Sequence, residues 1–436
     1  MRSVTINPSR MCQPIGAMHA TLGIHAAVPL IHGSQGCSAY PMRMFNRHFR
    51  EPAQIAVTAL GEGASVFGGR DNLIASIKNV IARRNPELIG VITTCLSETI
   101  GDDVEGIVRE TIDEIEEVEE EDVIPIVTIH TPSYVGSHIT GYDNALKAFV
   151  THLSKEFDES DEKLNIIPGM INPGDIREIK GMLDLLGVSY TILSDISDTF
   201  DAPIILPKPS FPNGGTSVEE IENCAGACGV ISLCEHAGGS AAKFLKGKYG
   251  MRSDAICPIG VSKTDRFIEA ISDITEKEIP YELEKERGKL IDAMVDVHQL
   301  TYGKKAAIFA DPDIALGIAE FASELGMEVV VLASSTSSNA FMDAAKEISD
   351  GEILNGNDLY DLHRAVKEKD ADILFGHTMC KKSIPAGEDN IAFVRCGFPV
   401  YDRIGYYRYG IMGYHGGIYL SDLIANAILD RYGQYG

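Results

Sequence analysis

From about residue 71 the chain alternates stretches of helical period with short apolar runs. Apolar positions three and four apart over 71–84, opened by Asp71 as an N-cap, predict a helix. Residues 88–93 form a continuous apolar run of strand length, 102–117 read as helix, and 123–130 are rich in β-branched residues. A turn-rich segment, 130–137, precedes a helix near 142–153. The pattern then recurs twice. Strands at 164–168, 188–193 and 229–233 alternate with helices at 174–186, 240–248 and 263–276. A long charged amphipathic helix, 282–300, leads to strands at 306–310, 327–332, 373–375 and 391–394, with helices at 313–325 and 358–369 between them, and a last helix at 418–431. Strand–helix–strand repetition of this kind builds parallel sheets covered by helices. The expected fold is α/β, with three doubly wound domains. The expected boundaries are 1–155, 163–303 and 304–410, with 411–436 as a C-terminal helix packing back on the body. The polar stretch 155–163 separates the first two series, and no sequence repeat relates them.

Composition narrows the class. At 436 residues and 44% apolar content the chain is long enough for several well-buried cores. No apolar stretch approaches the roughly 18 residues of a membrane span, and the first residues lack the apolar segment of a secretory signal. Nine cysteines, an odd number, do not resemble a secreted disulfide framework, so the reducing cytoplasm is the expected compartment. A net charge of −25 argues against nucleic acid or an anionic membrane as partner. The densest acidic run, 114–122, reads as a solvated helix end and loop. The sequence contains no GxxxxGK[ST] loop, no GxGxxG after a strand, no HExxH and no GxSxG, so this chain is not expected to hydrolyse a nucleotide itself.

The chemistry-bearing residues lie early. Cys12, Cys37 and Cys95 each sit in a short turn flanked by small or polar residues: Met11-Cys12-Gln13-Pro14, Gly33-Ser34-Gln35-Gly36-Cys37 and Thr93-Thr94-Cys95. Such cysteines are either inert core fillers or soft-metal ligands. Their scattered spacing is unlike the close pairs of a zinc knuckle and suits a cluster held between separate loops. Cys95 and Ser133 both fall just after expected strands, where open α/β sheets place their ligands. Cys224, Cys228 and Cys234, in an Ala- and Gly-rich context, read as buried small residues, as do Cys257, Cys380 and Cys396.

Several longer strings carry a resemblance. Cys12-Gln13-Pro14-Ile15-Gly16-Ala17, His32-Gly33-Ser34-Gln35-Gly36-Cys37, Phe45-Asn46-Arg47-His48-Phe49-Arg50-Glu51-Pro52, His130-Thr131-Pro132-Ser133-Tyr134-Val135-Gly136-Ser137-His138 and Gly397-Phe398-Pro399-Val400-Tyr401-Asp402-Arg403 occur in this order. Together they resemble the β subunit of the nitrogenase catalytic component over nearly the whole chain. The strings at 172–180 and 400–403 look closest to the vanadium and iron-only forms. The resemblance implies three Rossmann-like domains and an [8Fe-7S] P-cluster shared with a homologous α subunit. By motif Cys12, Cys37 and Cys95 fall on the thiolate ligands of this side, and Ser133 on a serine that ligates iron in the oxidised cluster. Tyr40 follows as a group near electron entry or an ordinary interface aromatic. Arg50 and Glu51 resemble a β–β contact strip in which Glu51 either helps to hold a hard cation or makes a salt bridge.

The same resemblance implies that the active-site metal cofactor, of the FeV, FeFe or FeMo type, belongs to the α subunit and not to this chain. It implies an α2β2 core, with or without a small extra subunit. Electrons would come from a separate ATP-hydrolysing homodimeric iron protein, in keeping with the missing phosphate-binding loop. The expected role is electron relay for reduction of N2 to ammonia. Two alternatives stand beside it. The N-terminal arm before Cys12 is short, the segment 60–66 lacks a Glu-Asp pair, and 377–382 departs from the family string. These departures fit a nitrogenase-like reductase that cleaves C–S bonds of small thioethers. The other alternative is a non-catalytic scaffold for cofactor assembly.

Overall fold

The computed structural model describes residues 5–119, 124–156, 161–207, 209–384 and 391–433. Parts of three segments read above, 120–122 of the acidic run, 123 at the head of an expected strand and 157–160 of the polar stretch, lie outside the described residues.

Among the described residues the strands form three sheets, and every pairing is parallel. β1 (Ala27–Ile31), β2 (Ala56–Val57), β3 (Leu88–Ile92) and β4 (Ile126–Ile129) are ordered β2-β1-β3-β4. β5 (Asp161–Ile167), β6 (Tyr190–Ile192), β7 (Ala227–Ser232) and β8 (Arg252–Ala255) are ordered β6-β5-β7-β8. β9 (Lys305–Phe309), β10 (Glu328–Ser334), β11 (Glu352–Asn355), β12 (Ile373–Gly376) and β13 (Ala392–Arg395) are ordered β11-β10-β9-β12-β13. Central strands such as β1 and β3 are buried at every position, as expected where helices cover both faces. The α/β class with parallel sheets is therefore the observed one.

By compactness the chain divides into two units. One comprises Met11–Pro173 and Ser189–Ala255 and carries the first two sheets. The other comprises the described residues of Met1–Arg10, Gly174–Val188 and Ile256–Gly436 and carries the third. In the second unit Asp358, the N-cap of the helix Leu359–Glu368, also accepts the N–H groups of Ile6 (2.7 Å) and Asn7 (3.3 Å), which straps the first described residues to that unit.

Two local expectations change. Asp71 is not an N-cap, because the helix begins one residue earlier, as Arg70–Arg84. The amide of Gly69 is instead satisfied by the carboxylate of Asp102, at 3.1 Å to each oxygen. The cysteines do not lie in free turns either. Each stands at the start of a helix, Gln13–Leu22, Gly36–His48 or Cys95–Ile100, where side-chain and backbone acceptors meet otherwise orphan amides.

The helix Gln13–Leu22 is pressed against the helix His138–Leu153 through bare backbone. A Cβ on Gly16 would lie 1.7 Å from the carbonyl oxygen of His138, and one on Gly141 would lie 1.9 Å from that of Gln13. Behind this crossing His19 is sealed among Phe45, Phe49, Tyr142 and Phe200, and Phe49 and Phe200 stack at 4.2 Å. Burial, and then the charges of His48 and His138, push the His19 imidazole down to about 3, so it is a neutral core residue at ordinary pH. Each phenylalanine buried here contributes about 1.5–3 kcal/mol to the packing that fixes the first helix.

Candidate metal centre at the helix N-termini

Cys12 is the N-cap of Gln13–Leu22, with extended backbone (φ −71°, ψ 153°). Cys37 is the second residue of Gly36–His48, and Cys95 opens Cys95–Ile100, three residues past the end of β3. All three belong to the same compact unit. A helix start offers unsatisfied N–H groups and the positive end of the dipole, which favour a thiolate or an anionic cluster. Pro41 also lacks the N–H that would bond the Cys37 carbonyl within its helix.

The loops that carry these residues are tied together by short polar contacts. Thr94 caps the Cys95 helix: its hydroxyl accepts from Ser97 N, while Ser97 Oγ accepts from Thr94 N at 2.8 Å. The Thr94 hydroxyl also donates to the His32 carbonyl at 2.9 Å, joining the end of β1 to the Cys95 turn. Gly33 permits this approach, since a Cβ there would stand 2.6 Å from Thr94 Oγ1. His32 in turn contacts Thr58 Oγ1 (3.2 Å) and Asp102 Oδ2 (2.9 Å). Its burial outweighs the pull of Asp102 and holds its pKa below the ordinary histidine value.

Ser133 lies beyond β4, and its Oγ accepts the backbone N–H of Gln13 at 3.0 Å. The Gln13 carboxamide donates to the Pro132 carbonyl at 2.9 Å and accepts from Asn144 at 3.3 Å. The backbone N–H of His138 donates to the Met11 carbonyl at 3.1 Å. The turn bearing Ser133 is thus fastened to the helix that begins at Cys12.

The Cys12 thiol is pushed up to about 11, chiefly by burial, with further upward contributions from Cys37 and Cys95. Gathering three thiolates would be unfavourable by itself, and a soft cation such as iron would relieve it while driving deprotonation. Among the described residues no three or more His, Cys, Asp or Glu are gathered as a site for a single metal ion. Cys95 is exposed, and Cys12 and Cys37 are half-buried, so the three thiols do not line a closed core.

An acid–base group lies beside Cys95. Glu98 Oε1 accepts from Thr93 Oγ1 (2.6 Å) and contacts His130 Nδ1 (3.0 Å), whose other nitrogen reaches Glu105 (3.2 Å). Burial lowers the His130 pKa, but Glu98 and Glu105 more than offset it, and the net shift is upward.

Glu51 lines a different feature, a cavity of about 400 Å³ walled also by Pro52, Asp198, Ile204 and Leu206. None of the three cysteines lines it. Cys224 and Cys234 are buried; burial pushes the Cys224 thiol up to about 12, and Cys228 donates to the Glu162 carbonyl at 3.6 Å. Cys380 and Cys396 are also buried, and Cys257 is half-buried. Sequence reasoning did not single out Gln13, Thr94, His32 or Asn144. Pro14 just inside a helix and Gly23 just past it were the available sign that Gln13 opens a helix rather than a turn.

A family model described as nitrogenase component 1 type oxidoreductase matches residues 12–429. The chain is 45% identical to the nitrogenase molybdenum-iron protein beta chain of Methanococcus maripaludis, covering 99% of this chain and 96% of that one. It is 40% identical to the vanadium-iron beta chain of Trichormus variabilis, over 98% and 94%. It is 34% identical to the iron-iron beta chain of Rhodobacter capsulatus, also over 98% and 94%. Among solved structures, a chain of "Nitrogenase Cp1 at pH 6.5" superposes with a TM-score of 0.95 at 38% identity, covering 100% of this chain and 95% of that one. With the helix-borne cysteines set in a parallel α/β fold, these matches show that the chain belongs to the nitrogenase component 1 type oxidoreductases, among their β chains.

Proposed function

We propose that this β chain holds half of an [8Fe-7S] cluster through Cys12, Cys37 and Cys95, with Ser133 as an additional ligand in the oxidised state. The observation that carries the reading is the placing of three thiols at helix starts within one compact unit, together with a serine bonded to the first of those helices. Thiols and a hydroxyl at helix N-termini are the donor chemistry that an anionic iron–sulfur cluster requires. When bound, the cluster stores and passes electrons. This chain's part is to present the donors, orient them through Thr94 and Gln13, and supply the dipoles that stabilise their anionic forms.

Partners follow from surface chemistry and from the relatives. Val66 (75% exposed) and Phe67 (91%) stand on the helix Glu62–Phe67 beside the Cys95 helix, and Tyr134 and Val135 are exposed next to Ser133. Such apolar surface suits coverage by other chains. In this reading a homologous α subunit completes the cluster and carries the metal cofactor, of the FeMo, FeV or FeFe type. An ATP-hydrolysing iron protein docks nearby to deliver electrons, and N2 is reduced in the α subunit. Two αβ pairs join through the face bearing Glu51, with or without a small extra subunit, and the complex works in the cytoplasm. Among the described residues no helix is long and apolar enough to cross a membrane. The complete donor set favours relay over assembly scaffolding, since a scaffold can dispense with some of these ligands.

The test is reduction by the purified αβ complex with its iron protein and ATP, supplied with protons, acetylene, N2 and a small thioether. Reduction of N2 supports the proposal, and reduction of the thioether alone selects the other reductase. A fully metal-loaded complex that reduces none of them defeats the relay role.

A further inference from the structure

We infer that Gln13 is the positioning residue for Ser133, fixing the hydroxyl where it can serve as the exchangeable ligand; this rests on the cluster reading above. The N–H and Nε2 of Gln13 reach the segment that carries the serine, and its Oε1 reaches the helix that follows it. Its N–H is donated to Ser133 Oγ at 3.0 Å. Its Nε2 donates to the Pro132 carbonyl at 2.9 Å, and its Oε1 accepts from Asn144 Nδ2 at 3.3 Å, a group that also donates to the His130 carbonyl at 3.1 Å. Its own carbonyl lies where a Cβ on Gly141 would be, 1.9 Å away. The side chain is 1% exposed and has no freedom to leave. The turn can close on it only because residue 136 is glycine, where a Cβ would stand 2.5 Å from Gln13 Nε2.

The consequence concerns direction. Ser133 Oγ is held as an acceptor toward the first residue of the helix whose N-cap is Cys12. Pro14 has no N–H, so the Gln13 amide is the donor this helix end offers there. With the cluster bound and one electron passed from it to the partner chain's metal cofactor, ligation would break the Ser133 O–H bond, release its proton to water and form an Oγ–Fe bond, and Gln13 would hold the oxygen in place for it. Gln13 acts only through the serine, so it is not itself a ligand.

The experiment uses the anaerobically purified αβ complex and three substitutions. Gln13→Met keeps the length and removes both carboxamide bonds, Gln13→Glu keeps the acceptor for Asn144 and loses the donor to Pro132, and Ser133→Ala removes the ligand. Each is compared with wild type by iron content, iron X-ray absorption, the electron paramagnetic resonance of the oxidised cluster, and its midpoint potential. We expect full iron loading in all three, because the three thiolates remain. The iron–oxygen contribution that appears on oxidation in wild type should be lost in both Gln13 variants. The potential should move to more positive values, since the oxidised state loses an anionic ligand. The Gln13→Met, Ser133→Ala double variant should match Ser133→Ala alone, a result that a merely structural role does not produce. Full iron loading with a wild-type oxygen contribution and resonance in both Gln13 variants would overturn the inference, and so would effects that simply add to those of Ser133→Ala. Loss of iron from both Gln13 variants would overturn it as well, since a residue acting through the serine leaves the thiolates in place. An oxidised wild-type complex without an iron–oxygen contribution instead overturns serine ligation itself, before any substitution is considered.

Discussion

Gly16→Ala should undo the proposed metal centre from behind with one methyl group. The helix Gln13–Leu22 meets His138–Leu153 through backbone, and the added Cβ would fall 1.7 Å from His138 O and 2.6 Å from Tyr142 N. For the contact to open to 3.0 Å the carbonyl must retreat by 1.3 Å, and no side-chain rotamer can absorb that shift. The retreat strains His138 N–Met11 O, Gln13 N–Ser133 Oγ and Gln13 Nε2–Pro132 O together. Overpacking of a tight contact costs about 1–3 kcal/mol, and each hydrogen bond lost adds about 0.5–1.5 kcal/mol. The better helix propensity of alanine returns about 1 kcal/mol. The net expectation is about 3 kcal/mol, or roughly a hundredfold faster amide exchange across the two helices. Gly247→Ala is the control, since it lies within the helix Gly239–Tyr249 of the same unit with nothing within 4 Å of its Cβ. It should stabilise by about 0.4–1 kcal/mol. Exchange measured by mass spectrometry on the two crossing helices, with iron content of the complex, reads both effects. A Gly16→Ala protein that exchanges like wild type, or a Gly247→Ala protein that is equally damaged, would refute the close-crossing argument.

Other expectations test separate parts of the scaffold. Thr94→Val removes the cap of the Cys95 helix and leaves the His32 carbonyl without its donor, at a cost of about 1–2 kcal/mol; protection of the Cys95 helix should fall while that of residues 413–433 stays unchanged. Asp358→Ala should cost about 1–2 kcal/mol and release residues 6–7, read as faster exchange there. Burial alone would raise the Asp358 carboxyl, but the N–H groups of Ile6, Asp361, Asn7 and Tyr360 offset it and hold it below the usual range. Its stabilisation is therefore complete above the ordinary aspartate value of about 3.9 and disappears as pH falls through the lower folded value. A wild-type advantage over the variant that instead grew on acidification would contradict that sign. Phe67→Ser should leave stability within about 0.5 kcal/mol of wild type, because the ring is exposed; the iron protein concentration at half-maximal rate should rise, and an unchanged value would remove this face from the docking surface.

The fold was most legible where burial is uniform. Residues 88–92 and 306–309 announce strands because parallel strands covered on both faces are apolar throughout. Ala27–Ile31 escaped notice because Pro29 interrupts it and proline ordinarily excludes an interior strand. It is tolerated where the neighbouring strand is two residues long and pairs only at Leu30 and Ile31. Pro41 hid the helix Gly36–His48 in the same way. At the proposed metal centre the candidate donors carry recognisable neighbours in sequence, and their residue types suit the proposed chemistry. What positions them does not show in one dimension. Gln13 meets Ser133 across 120 residues, and Thr94 meets His32 across 62. Glycines 16, 33 and 141 matter for what approaches them, which only the packed chain reveals.

The central claim is that Cys12, Cys37 and Cys95 hold one cluster together with the α subunit. The most direct measurement is iron per αβ pair, with iron-57 Mössbauer spectra, for wild type and for Cys95→Ala, each with the α-subunit cofactor quantified separately. The account expects eight irons' worth of cluster signal in the wild-type complex, on the order of one P-cluster per pair. In Cys95→Ala that signal should be depleted or altered while the cofactor persists, and ATP-dependent reduction should fall to near background. A Cys95→Ala complex with the wild-type cluster spectrum and full reduction rate, or an isolated β chain that holds the complete cluster alone, would contradict it.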